Sequence, residues 1–171
     1  VMLSGETAIG NHPVRSVGFM SEIIEQTEEA QKEAVHHTVK SRSDNPTQVI
    51  CKSAWQASRD LDTEYILAHT TSGSTARNIA KYRPETSVIG ISHNRDVVRK
   101  LNLVWGVKPM HIHKPESVSD MVQNSVSKIY EKDLVEADDE LIMSAGVPSG
   151  VSGTTNMLQI REVGEALDQD F

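Results

Sequence analysis

Apolar residues along the chain follow two rhythms, one before Tyr65 and one after it. In the first, Val14, Val17, Met20 and Ile24 recur at helical spacing behind Asn11-His12-Pro13. A proline in the first turn needs no amide donor, so the pattern predicts a helix running to about Glu33. Residues 40–45 are polar and read as a linker, and Pro46 opens a second helix with Ile50, Ala54, Ala57 and Leu61 on one face. After that point short apolar runs alternate with helical stripes. Tyr65-Ile66-Leu67-Ala68, Val88-Ile89-Gly90-Ile91 and Leu141-Ile142-Met143 read as buried strands, residues 107–112 as a shorter one, and Met157 to Ile160 as the last. Between them one helix reaches about Tyr82, where Arg83-Pro84 stops it. A second follows an Asn94 cap and carries Val97, Val98 and Leu101. A third starts at Ser117 or Ser119 with Val118, Met121, Val122, Val126 and Ile129 on one stripe.

Strand and helix in alternation predict an α/β fold: a mostly parallel sheet flanked by helices on both faces. The last two strands lie too close for a helical crossover, so they are expected as an antiparallel edge pair at the C-terminal end. The opening residues, Val1-Met2-Leu3-Ser4, carry no capping or turn signal and read as cut mid-strand from a longer protein. They also lack the basic region of a signal or transit peptide.

Composition narrows the function classes. With 171 residues the chain allows one domain and a short appendage. No run approaches the ~18 apolar residues of a membrane span. A net charge of −7 argues against nucleic acid or an anionic membrane as a partner, because both need clustered Lys and Arg. The lone Cys51 forms no internal disulfide, which favours a reducing, cytoplasmic setting, and it reads as a small buried hydrophobe.

Two loops carry the candidate chemistry. Thr70, Thr71, Ser72, Gly73, Ser74 and Thr75 put five hydroxyls and a glycine between a buried strand and a helix. Loop amides there point outward, a helix dipole adds about half a positive charge, and each hydroxyl donates to a phosphate oxygen. An ordinary hydroxyl-rich cap remains open beside that phosphate-cradle reading. The second loop, residues 146–156, is rich in glycine and hydroxyls and taken alone reads as an ordinary long hairpin connection. It also follows a strand, however, and two such loops at one sheet edge favour a ligand pocket. His111 and His113 stand at strand spacing, read as a surface pair rather than metal ligands. Trp105 reads as a packing residue, and His36-His37 receives no role. No nucleophile–base pair and no acidic metal cluster stands out.

Val1-Met2-Leu3-Ser4-Gly5-Glu6-Thr7-Ala8, with Gly10 and His12-Pro13-Val14, resembles the end of the catalytic barrel of the pyruvate kinase family. The resemblance continues through Thr71-Ser72-Gly73, Ala76, Lys81-Tyr82-Arg83-Pro84, Leu103 with Trp105-Gly106-Val107, and Gly153-Thr154-Thr155-Asn156. It implies a barrel remnant, the last strand and helix, at residues 1–34 and a Rossmann-like, three-layer regulatory domain of bacterial type at residues 35–171. In that family the complete enzyme transfers a phosphoryl group from phosphoenolpyruvate to ADP with magnesium or manganese and potassium. The lysine, acidic metal ligands and threonine that do so lie upstream, so no catalytic residue, metal or cofactor is expected on this chain, Glu6 and Thr7 included.

By the same resemblance Thr70, Thr71, Ser72, Gly73, Ser74 and Thr75 hold an effector phosphate, and Gly146, Gly150, Ser152, Gly153 and Thr154 belong to the loop that closes over it. The helix after Ser117 has neither the tryptophan nor the arginine that fructose-1,6-bisphosphate-activated eukaryotic members use for a second phosphate. Arg99, Lys100 and Lys114 are not obviously placed to substitute. A monophosphate such as ribose 5-phosphate or AMP therefore competes with a bisphosphate as the effector. Assembly as a homotetramer is also implied. The alternative is a free-standing phosphometabolite-binding module without catalytic activity.

Overall fold

A computed structural model describes residues 1–37 (31–37 as backbone only), 44–147 and 154–168. They divide into two compact units, Val1–Ser41 and Arg42–Phe171.

The first unit holds α1 (Gly5–Ala8) and α2 (Pro13–His37), the second helix running a turn beyond the expected end. Gly10 follows α1 where a Cβ would lie 2.3 Å from the Glu6 carbonyl oxygen, so only glycine fits. The stripe expected on α2 is partly open, with Val14 and Val17 exposed. Residues 1–3, expected as the end of a strand, carry no strand pairing. A strand without neighbours leaves its backbone groups unpaired.

The second unit contains α3 (Pro46–Asp60), β1 (Tyr65–His69), α4 (Ser74–Ala80), β2 (Ser87–Ser92), α5 (Arg95–Leu101) and β3 (Val107–His111). It continues with α6 (Val118–Tyr130), β4 (Glu140–Ala145), β5 (Met157–Glu162) and α7 (Val163–Asp168). Side-chain caps fix three helix starts: Asn45 accepts from the Thr47 amide, Asn94 from Asp96 and Ser117 from Asp120. Residues 40–43 of the expected linker lie outside the described residues, and Asn45 belongs to the α3 cap.

The sheet order is β3-β2-β1-β4-β5, parallel throughout except for β5, which pairs antiparallel with β4 at the edge. Alternation along the strands divides the core into two layers. Ile66, Ala68, Val88 and Ile142 pack with Cys51, Ala54, Ile79 and Leu101 from α3, α4 and α5. Leu67, Ile89 and Met143 pack on the other face with Val122, Val126 and Ile129 of α6 and Val163 and Ala166 of α7. No helix among the described residues is long and apolar enough to cross a membrane.

The expected face of α3 needs correction. The buried face of α3 is Thr47, Cys51, Ala54, Trp55 and Ser58, while Leu61 is 41% exposed. Polar residues can sit inside because the Ser58 hydroxyl donates to the Trp55 carbonyl at 2.8 Å and the Thr47 hydroxyl accepts from the Thr155 amide at 3.2 Å. Trp105, expected as a packing residue, is 46% exposed and packs against Arg83, whose guanidinium lies 4.0 Å from its ring centroid.

Gly90 lets two helices approach the sheet. A Cβ there would lie 2.8 Å from Leu101 Cδ1, 2.9 Å from Val107 Cγ1 and 3.3 Å from Ala76 Cβ. Gly90→Ala is expected to destabilise the fold by about 1–3 kcal/mol through overpacking. Urea unfolding checks this, the midpoint falling while the slope stays unchanged.

Candidate functional site

From β1 the chain steps to β2 and β3 on one side, then returns to β4 on the other. The carboxyl ends of β1 and β4 are therefore a switch point, where connections diverge and leave a crevice. The cleft there is lined by His69 and the hydroxyl loop, by Ser92 at the end of β2 and His93 after it, by Ile112 and Lys114 after β3, by Met121 of α6, and by Ala145, Gly146, Thr154 and Thr155. Both loops singled out in the sequence meet at this edge.

The hydroxyl loop is held by its own side chains. Thr70 Oγ1 accepts from the Gly73 amide at 2.9 Å, and Gly73 takes a left-handed conformation with φ of +84°. Ser72 Oγ donates to Ser74 Oγ at 3.1 Å, while Arg77 Nη2 donates to the Ser72 carbonyl at 3.3 Å. Thr70 and Thr75 are buried; Thr71, Ser72 and Ser74 remain half-buried on the cleft wall. Helix α4 has seven residues, so its dipole is small and the hydroxyls and loop amides dominate.

The second loop closes at its base. Asn156 accepts from the Val147 amide at 2.8 Å and donates its own side-chain amide to the Val147 carbonyl at 2.7 Å. A Cβ on Gly146 would lie 2.0 Å from the Thr154 carbonyl oxygen, so this crossing requires glycine. The hydroxyls of Thr75 and Thr155, 2.8 Å apart, join the two loops directly. Gly150, Ser152 and Gly153 lie outside the described residues.

Charge in the cleft has one sign. Its described lining contains Lys114, His93 and His69 and no carboxylate. Of the three cations considered from sequence, Lys114 belongs to the lining, whereas exposed Arg99 pairs with Asp96 at 3.3 Å and neither it nor Lys100 reaches the cleft. The residue that sequence reasoning missed is His69. It ends an apolar strand, where nothing in the pattern separates a functional ring from a strand terminator. In the structure it is 6% exposed, with Nε2 3.0 Å from Ser125 Oγ on α6. Burial pushes the imidazole down to about 4, the Ser144 backbone carbonyl working weakly the other way.

The remaining candidates sit elsewhere. The rings of His111 and His113 are 6.3 Å apart, and His111 Nε2 bonds to the His93 carbonyl at 3.2 Å. Among the described residues no group of three or more His, Cys, Asp or Glu is placed to hold a metal ion. Cys51 is fully buried, its thiol pushed up to about 11 by burial, which fits packing rather than reactivity.

The fold and cleft define an α/β domain with a cationic, hydroxyl-lined crevice at its switch point. Residues 48–161 match the family described as pyruvate kinase, alpha/beta domain. The chain is similar to the pyruvate kinase of Clostridium acetobutylicum, 36% identical over 165 residues that cover 95% of this chain and 35% of the relative. The pyruvate kinase of Sporosarcina psychrophila is 39% identical over 169 residues, covering 98% of this chain and 29% of the relative. That of Lactobacillus delbrueckii subsp. bulgaricus is 35% identical over 172 residues, with the same two shares, 98% and 29%. The chain belongs to the pyruvate kinase family, to which it contributes the alpha/beta domain, and it spans about a third of the length of these relatives.

His69 also sets an acid limit on the fold. Its imidazole titrates near 4 when folded and near 6.5 when unfolded, so the unfolded chain takes up the proton first as pH falls. Stability is full above pH ~6.5 and declines toward pH ~4, by up to about 3 kcal/mol from this group. Chemical denaturation at stepped pH checks this, and His69→Gln is expected to flatten that acid limb.

Proposed function

We propose that this chain is the C-terminal regulatory part of a pyruvate kinase and that its cleft receives the phosphate of a small phosphorylated effector. The observation that carries the reading is the lining at the β1–β4 switch point: hydroxyls, loop amides, one lysine and two histidines, with no described carboxylate to repel an anion. Thr71, Ser72 and Ser74 serve as phosphate donors, while Thr70 and Thr75 hold the loop in shape. Gly146 and Thr154 start and end the loop that closes over the effector's sugar. Because the Thr75 and Thr155 hydroxyls join the two loops, a ligand seated on one is coupled to the other. Such a contact biases a two-state arrangement of subunits only if one state binds the effector better.

On this reading residues 1–34 end the catalytic barrel and residues 35–171 form the regulatory domain. The whole protein is a cytoplasmic glycolytic homotetramer that moves phosphoryl from phosphoenolpyruvate to ADP with magnesium or manganese and potassium. On this reading the groups that hold those metals lie in the catalytic barrel upstream.

Isothermal titration with ribose 5-phosphate, AMP and fructose 1,6-bisphosphate tests the effector site. One compound is expected to bind, and the double variant Ser72→Ala, Ser74→Ala to bind it at least ~10-fold more weakly, since a hydrogen bond to a charged acceptor contributes about 1.5–3 kcal/mol. Binding of none, or binding that ignores the double variant, removes the reading. A coupled assay of the 171-residue chain is expected to give no pyruvate above a blank. Sustained turnover in a preparation free of host enzyme contradicts the assignment of catalysis to upstream residues.

A further inference from the structure

His69 joins the cleft to α6 and is not needed for the phosphate contacts described above. Ser125 Oγ donates to the Met121 or Val122 carbonyl, at 2.8 and 2.9 Å, and so offers a lone pair to His69 Nε2 at 3.0 Å. That arrangement puts the proton of the neutral ring on Nε2 and leaves Nδ1 buried without a formed hydrogen bond. A second proton on Nδ1 would have the Ser144 backbone carbonyl on its side. Nε2 is therefore paired and Nδ1 is the open position for a second proton, and what keeps the ring neutral is burial.

The groups around it are few. His93 approaches from the β2–α5 loop and Lys114 from the β3–α6 loop, one half-buried and one exposed. From α6 come Met121 and Ser125; Asp120 on that helix is taken up by the Glu116 amide at 2.8 Å and by Asn124, and does not line the cleft. The end of β4 brings Ala145 and Gly146, and β1 brings the hydroxyl loop.

Resting on the effector reading, we propose that His69 makes this cleft a proton-coupled anion site, in which a tetrahedral oxyanion and one proton from water bind together. The proton adds to Nδ1; no other bond forms or breaks. The empty cleft holds a neutral ring and the filled one an imidazolium in the cleft lining. An opposite charge in the cleft that a buried ring lines offsets part of the penalty that burial imposes on its charged form.

Inorganic sulfate is the probe, because its charge is fixed between pH 5 and 8, where a phosphate monoester itself titrates. Calorimetric titration of the 171-residue chain is expected to show sulfate binding ~10-fold tighter at pH 5 than at pH 8. Near pH 5.5, two buffers of different ionisation heat should report uptake of a proton. His69→Gln is expected to lose that pH ratio and His93→Gln to keep it. On the unaltered chain, the His69 ring nitrogen shifts in NMR should move to imidazolium values as sulfate saturates, a measurement that decides the matter even where His69→Gln does not fold. A ring that stays neutral at saturation, or a pH ratio unchanged in His69→Gln or lost in His93→Gln, overturns the proposal and leaves the effector reading intact. Failure of both sulfate and the phosphorylated compounds to bind at either pH removes the two together.

Discussion

The carboxyl end of β1 is the point on which the second unit turns. This strand lies at the centre of the sheet with all five residues buried, so its neighbours on both sides and both faces are fixed by packing. Tyr65, Leu67 and His69 share one face by simple alternation, and the register that puts Leu67 beside Met143 leaves His69 on the α6 side as the apolar layer ends. A polar ring at that position must find a partner in the covering helix, and Ser125 supplies it. One step further the chain leaves the sheet and the hydroxyl loop begins. The core, the cleft and the hydrogen bond that ties His69 to α6 thus depend on where one strand stops.

The strands were legible because parallel strands buried on both faces read as unbroken apolar runs, as Tyr65-Ile66-Leu67-Ala68 does. The antiparallel edge pair followed from loop length alone. Helix starts were legible where a cap marks them: Asn94 and Ser117 both accept from backbone amides two or three residues on. The face of α3 was misjudged because a hydropathy pattern weighs Thr47 and Ser58 as outward residues. Once each hydroxyl finds a backbone partner it can be buried at little cost, and the stripe rotates toward Cys51 and Trp55. Helix α7 was missed altogether. Its six residues follow β5 without a break, and only Val163 and Ala166 are buried.

The cleft was legible as two loops and not as a set of side chains. Sequence gave six adjacent residues equal standing, whereas the fold divides them. Thr70 and Thr75 are buried and engaged with the Gly73 amide and the Thr155 hydroxyl, whereas Thr71, Ser72 and Ser74 are half-buried in the cleft lining. The weight placed on a helix dipole also shrinks, because α4 has only about two turns. Lys114 and His69 come to the same cleft from elements separated by some forty residues of chain, a proximity that only the strand order creates.

That division bears on how a chain of net charge −7 would hold the proposed anion. The long-range field opposes the approach, so the attraction has to be local. Lys114 is exposed, and salt screens an exposed charge over roughly 8–10 Å. A permanently charged Lys or Arg at the buried end of β1 would be screened far less, but in the empty cleft it would be an unpaired charge removed from water, at a cost of several kcal/mol. Histidine avoids both difficulties, since it can be neutral while the cleft is empty and acquire its charge with the ligand that needs it. The proposed proton coupling is therefore the physical consequence of placing a cation where the fold can tolerate one only part of the time.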